Sequence, residues 1–202
     1  MASSKTEICN LALGWLGGKR LTDVESDPSL DARLCNANYD LSRTAVLEER
    51  EWSFATKRVA LTPLSTPPKF GYDYQFLLPS DLLMVLSAHN PLHTDIPRPP
   101  GISYIREENN LLADLQVVHI RYIVNLTNTT RFSGLFTQCL AAHIAANIAV
   151  GLTENATQQE RMFAIYDDKL GKAISSDSMQ GSNDRIETSQ LEKSRRMVSR
   201  PM

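Results

Sequence analysis

Apolar positions recur at helical spacing near both ends of this chain and alternate along its middle. Ile8, Leu11, Ala12, Trp15 and Leu16 form one stripe, which predicts a helix over 6–16. Thr6 is its expected cap, and Glu7 in the first turn favours the helix dipole. Gly17-Gly18 ends it, because glycine tolerates the left-handed C-terminal position. Pro28 pushes Asp27 out of the helical region, leaving Ser29 to cap a second helix over 30–50. There Cys35, Tyr39 and Val46 share a face, flanked by Leu34, Leu41 and Ala45.

Where that helix ends, Trp52 and Phe54 flank Ser53, a geometry that anchors a helix end into a core. Trp15, Tyr39, Trp52 and Phe54 are the expected structural anchors. The period then changes. Arg58-Val59-Ala60-Leu61-Thr62 alternates and reads as strand within 57–64. Residues 63–71 carry three prolines and a glycine and read as loop. Tyr72 to Leu78 is strand-like again. Pro79-Ser80-Asp81 is a helix-start signal before Leu82, Leu83, Val85 and Leu86, so one helical turn and continued strand both remain open there.

Four prolines (Pro91, Pro97, Pro99 and Pro100) make 90–101 an extended surface loop. Ser103–Arg106, Leu111–Ala113 and Val117–Val124 complete one small antiparallel sheet, with a turn at Glu108-Asn109-Asn110. In the last strand Val118, Ile120, Tyr122 and Val124 form the more apolar side.

Helical spacing returns over 132–152, the most apolar segment. Leu140, Ile144 and Ile148 pack on one side, and Ala141, Ala142, Ala145, Ala146 and Ala149 let a neighbouring helix come close. Thr157-Gln158-Gln159-Glu160 has the capping-box pattern, although a start at Thr153 is also open. Phe163, Tyr166, Leu170 and Ile174 make the next stripe. Residues 176–202 are too polar to offset ordering entropy by burial. The expectation is an α+β chain: mainly an α-helical bundle (1–56 and 130–175), a small antiparallel β insertion (57–129), and an extended or disordered C-terminal arm (176–202).

Composition narrows the function classes. The chain has 202 residues, enough for its own core, and its 42% hydrophobic and 22% charged residues are near globular averages. A net charge of -2 gives no basic footprint, which disfavours wholesale DNA wrapping. Cys9, Cys35 and Cys139 form no CxxC pair and read as reduced, buried thiols of a chain made in a reducing cytoplasm. No secretory signal is expected, and no segment is expected to reach the roughly 20 apolar residues that span a bilayer.

No catalytic or cofactor-binding constellation emerges. His89 and His93 have metal-like spacing, but Pro91 opposes a helix between them and no third ligand is spaced to help. His143 reads as a hydrogen-bonded core residue, and His119 lies on the less apolar side of the last strand. Glu48-Glu49 and Asp167-Asp168 read as solvated helix faces. No P-loop, GxGxxG or GxSxG occurs. Lys193, Arg195, Arg196 and Arg200, with Met197 among them and no acid in the final ten residues, read either as an inert terminus or as a docking arm that orders on a larger assembly.

The segments in order resemble a known family. Ile8-Cys9-Asn10-Leu11-Ala12-Leu13 with Leu16-Gly17 resembles the first helix of phage head-to-tail adaptors. Trp52-Ser53-Phe54-Ala55 leading into Arg58-Val59-Ala60-Leu61 resembles their helix-to-strand junction. Tyr74 to Leu82 resembles their strand and LP-x-D turn. Val118 to Ile123 and the 136–150 helix resemble the final strand and the alanine-rich helix. The family is the adaptor, or tail tubular protein A, group of short-tailed phages, matched in order and spacing over about 6–175.

That resemblance implies a non-enzymatic virion protein, made in the host cytoplasm and assembled as a dodecameric ring. The ring would join the portal protein to the tail nozzle protein and leave a channel for DNA, without sequence-specific DNA binding and without a membrane. It also implies that the C-terminal arm, through Lys193, Arg195, Arg196, Met197 and Arg200, meets the portal. A tail-associated cell-wall hydrolase and a DNA-packaging accessory protein are the alternatives.

Overall fold

The computed structural model describes residues 4–93 and 100–181. The basic residues Lys193, Arg195, Arg196, Met197 and Arg200 lie outside the described residues. The protein is mixed α+β. Among the described residues are four α-helices and two three-stranded antiparallel sheets.

Helix α1 spans Lys5–Leu16. Its cap is Ser4 rather than Thr6: the Ser4 hydroxyl accepts from the Glu7 amide, and the Glu7 carboxylate accepts from the Ser4 amide. This reciprocal box starts the helix one residue early. Thr6 instead accepts from the Val24 amide and holds the following loop. Gly17 takes the left-handed cap at φ 75°. The buried residues are Ile8, Cys9, Ala12 and Leu13, so Leu11 points outward, contrary to the expected stripe.

Helix α2 spans Leu30–Glu48, with the Ser29 side chain capping Ala32. It buries Cys35, Tyr39, Val46 and Leu47. Leu41, expected to flank the core, is exposed.

Helix α3 spans Gly134–Thr153 and is buried on most sides, by α4, α1 and α2. Its length and mean hydropathy of 1.5 would suffice to cross a membrane, which corrects the expectation that no segment comes close. The cover from three neighbouring helices accounts for that apolarity.

Helix α4 spans Ala156–Gly181, six residues past the point where loss of helix was expected. Its start is set by Asn155, whose side chain accepts from the Thr157 amide, so Thr157 does not act as the cap. Met162, Tyr166 and Ala173 are its buried residues, while Phe163 is turned partly to solvent.

The strands lie between α2 and α3. β1 (Thr56–Leu61), β3 (Leu82–His89) and β6 (Val118–Val124) form the sheet ordered β1-β6-β3. β2 (Tyr74–Leu77), β4 (Ile105–Glu107) and β5 (Asn110–Ala113) form a second, ordered β2-β5-β4. One sheet was expected. The division arises because β6 is flanked by β1 and β3, leaving the β4–β5 hairpin to recruit β2 instead.

Asp81 does not begin a helix. It ties the end of the first sheet together: Lys57 donates to its carboxylate at 2.7 Å and the Tyr122 hydroxyl at 3.1 Å. The Lys57 contact, more than any other, lowers the Asp81 pKa. The chain therefore continues as strand through Leu82 and Leu83, with register shifts between Leu82 and Met84 and between Val85 and Ser87. Residues of both sheets and all four helices join one core, among them Phe76, Leu111, Ile120, Ile144 and Tyr166.

Ile144→Ala should cost about 2–5 kcal/mol in denaturant unfolding, because α3 cannot collapse around the cavity. Leu41→Ala should stay within about 0.5 kcal/mol. His143 supplies a pH test. Burial lowers its pKa from the ordinary 6.5, so the unfolded chain takes up the proton first. Its neutral form supports the fold fully above that value, and this support is lost as pH falls from 6.5 towards the lowered folded value. Unfolding free energy measured from pH 7 to 5 should fall less steeply in His143→Gln.

Candidate functional site

The junction between α2 and β1 concentrates the chemistry of the described residues. After Glu48 the chain turns through a single 3-10 turn, Ser53–Ala55, and enters β1 at Thr56. Trp52 is 1% exposed, and its indole N–H donates to the Val46 carbonyl at 2.8 Å. A buried indole needs such a partner, and here the carbonyl comes from the end of α2 itself.

Around Trp52 the rings pack edge to face. The Trp52–Phe136 centroids are 5.1 Å apart, Phe54–Phe136 5.0 Å and Phe132–Phe136 4.9 Å. Phe136 lies in the first turn of α3, so this cluster fastens the exit of α2 and the entry to β1 onto α3. Arg131 closes the rim by donating to the Phe54 carbonyl at 3.1 Å.

Of the expected anchors, Trp52 and Phe54 are brought together here. Trp15 is partly buried elsewhere against the core. Tyr39 is buried on α2, with its ring 5.3 Å from the Lys5 ammonium.

The outer side of the junction is polar. A depression of about 860 Å³ is lined by Glu49, Glu51, Arg58, Met84, Arg121 and Asp177, among others. Arg58 and Arg121 stand directly opposite on β1 and β6. Like charges so placed repel. Glu51 forms an ion pair with Arg121 and offsets that repulsion. Asp177, on α4, accepts from the Ser53 amide at 2.9 Å and the Ser53 hydroxyl at 2.6 Å. This carboxylate caps the 3-10 turn from a residue 124 positions away in sequence.

Two of the carboxylates in the depression are therefore committed to fastening elements together. The arrangement locks α4, the α2–β1 turn and β6 around one open, mixed-charge surface. Among the described residues, no group of three or more His, Cys, Asp and Glu side chains is placed to hold a metal ion. His89 lies within 2.8 Å of the Ser87 hydroxyl, and the Asn147 amide within 3.1 Å of the His143 ring.

Sequence reasoning missed Asp177, Glu51 and Arg121 as partners. Asp177 lies in a stretch read as a polar arm, and a single carboxylate carries no local signal for a serine so distant. The Glu51–Arg121 contact had one legible clue, since an arginine inside an apolar strand needs a counter-charge.

No protein-family model matches this chain, and no curated protein matches it.

Trp52→Ala should cost about 3–5 kcal/mol in denaturant unfolding, and Trp15→Ala less. Asp177→Ala should cost about 1 kcal/mol. Its effect should be local: amide exchange should speed up in the last turns of α4 and at Ser53, while α3 stays protected.

Proposed function

We propose that this chain is a structural head-to-tail adaptor of a short-tailed phage, a non-enzymatic virion protein. Copies form a ring between the portal protein and the tail nozzle protein, with a central channel through which DNA passes without sequence-specific binding. The observation that carries this reading is the order of the segments that resemble that family: the first helix, the Trp52-Ser53-Phe54-Ala55 junction, the Leu78-Pro79-Ser80-Asp81 turn, the final strand and the alanine-rich helix. In this reading the four helices are the bundle that forms the body of each subunit. The strands are its β insertion, and the C-terminal segment with Lys193, Arg195, Arg196, Met197 and Arg200 is the arm that meets the portal.

Two physical features support the reading. A ring of one chain needs side surfaces that differ and complement each other. Large apolar side chains are exposed on separate elements: Leu41 at 70% on α2, Phe70 at 87% in the loop before β2, and Leu92 at 84% after β3. Buried between subunits, such residues would lose the cost of facing water. The second feature is charge. A net charge of -2 suits a channel along which DNA slides, since dense cationic contacts would hold the phosphates.

The test is the mass of the purified chain, alone and after mixing with the cognate portal ring. The expected result is a complex that holds adaptor copies in a multiple of the portal symmetry. Removal of 182–202, which leaves α4 whole, should abolish the complex while the helical core stays folded. A full-length chain that ignores the portal would contradict the proposal.

A further inference from the structure

The β2-β5-β4 sheet has one buried side and one apolar outer side. Its register sets Phe76, Leu111 and Arg106 in one row, with Tyr74 and Ala113 on the same side. Phe76, Leu111 and Ala113 are buried in the core, so this side faces inward. Successive side chains of a strand point to opposite faces. Gln75, Leu112 and Ile105 therefore form a row on the outer side, and Leu77, Asn110 and Glu107 form the next. Leu64 lengthens the first of these rows: Pro63 bridges to Phe76, and the Leu64 amide donates to the Gln75 carbonyl at 2.8 Å.

The solvent side of an antiparallel sheet is ordinarily polar. This one carries Leu64 at 40% exposure, Leu77 at 59% and Ile105 at 47%, grouped around Leu112. Carboxylates stand at both ends of the apolar rows. Glu107 and Glu108 lie at the β4–β5 turn. Asp73 and Asp114 lie just beyond the Tyr74–Ala113 pair, where the Asp114 side chain accepts from the Asp73 amide at 3.0 Å. All four acids are exposed. Neither outer row contains a basic residue. Arg106 belongs to the inward side and donates to the Leu83 carbonyl at 3.1 Å.

Such a face fits a partner that is apolar at its centre and cationic around it. A second copy meeting it through the same face would set carboxylates against carboxylates. Residues 193–200, outside the described residues, have the complementary composition: Lys193, Arg195, Arg196 and Arg200 around Met197 and Val198, with no acid. Lys193 follows Gly181, the last residue of α4, by 12 positions. Twelve residues can span about 40 Å, roughly the diameter of a domain of this size.

We propose that residues 193–200 dock on the outer face of the β2-β5-β4 sheet of their own chain. Met197 and Val198 cover the apolar rows, and the basic side chains meet the carboxylates at either end. Tethering raises the effective concentration of the segment to about the millimolar range, so a weak contact suffices. The inference does not rest on the adaptor reading. A portal that takes the same segment would first draw it off this face.

The experiment is zero-length carbodiimide crosslinking of the full chain, in an equal mixture of light and nitrogen-15 copies, followed by tryptic mapping. The reagent joins a lysine amine to a touching carboxylate with loss of water. The expected product joins peptide 186–195, through Lys193, to peptide 107–121, which holds Glu107, Glu108 and Asp114. It should form within one chain, light to light and heavy to heavy. Its yield should fall at least about fivefold in Leu77→Ser/Ile105→Ser and in Met197→Ser/Val198→Ser, because each pair removes apolar burial. Melting temperatures should stay unchanged, and molar salt should lower the yield in the unsubstituted chain. Absence of a Lys193 link would overturn the proposal. So would links spread evenly to other carboxylates such as Glu49 and Glu51, links only between light and heavy chains, or an undiminished yield in both double variants. A chain that gives the expected link yet ignores the portal would contradict the adaptor reading and leave this one standing.

Discussion

A helix that is apolar on nearly every side cannot face water, and α3 is such a helix. Its buried residues run from Phe136 through Leu140, Ile144 and Ile148, and the alanines between them are buried as well. The rest of the helical architecture follows from covering it. Alanines bring α4 close along its length, while α1 and α2 close two more sides. α1 holds its place through Ile8, Ala12 and Leu13, and α2 through Cys35, Val46 and Leu47. None of these stripes is amphipathic enough to stand alone, so each helix depends on α3 for the surface it buries.

The same helix also fixes the strands. Phe136 lies where the chain leaves α2 and enters β1, and it holds Trp52, Phe54 and Phe132 in edge-to-face contact. Polar contacts surround this apolar centre. Asp177 brings the end of α4 to Ser53, and Glu51 meets Arg121 on β6. The aromatic packing joins the α2–β1 turn to α3, and the polar contacts join the same turn to α4 and β6.

Much of this order is legible in the sequence, for reasons particular to each element. Ser29, Gly17 and the apolar run 134–153 act locally, through a cap, a left-handed residue and a buried face, so α2, the end of α1 and α3 can be read directly. Trp52 and Phe54 stand out because two large aromatics at a helix end need a core. The failures are non-local. Asp81 looks like a helix start, but its carboxylate is taken by Lys57 and Tyr122 from other strands. Phe163 fits a stripe as well as Met162 does, and only the position of α3 decides which turns inward. The two sheets differ from the expected one because the pairings of β6 with β1 and β3 and of β2 with β5, 30 or more residues apart in sequence, leave no periodic trace. Asp177 was invisible for the same reason: its partner is set by where α4 ends up, not by its neighbours.

The aromatic junction makes α3 and the β1-β6-β3 sheet one cooperative unit. Native-state hydrogen exchange at the amides of α3 and β6, followed with increasing denaturant, tests it most directly. Both sets should converge on a single opening free energy equal to global unfolding, and Phe136→Leu should lower them together. Opening of β6 at a distinctly lower free energy, with α3 still protected in the unsubstituted chain, would contradict it.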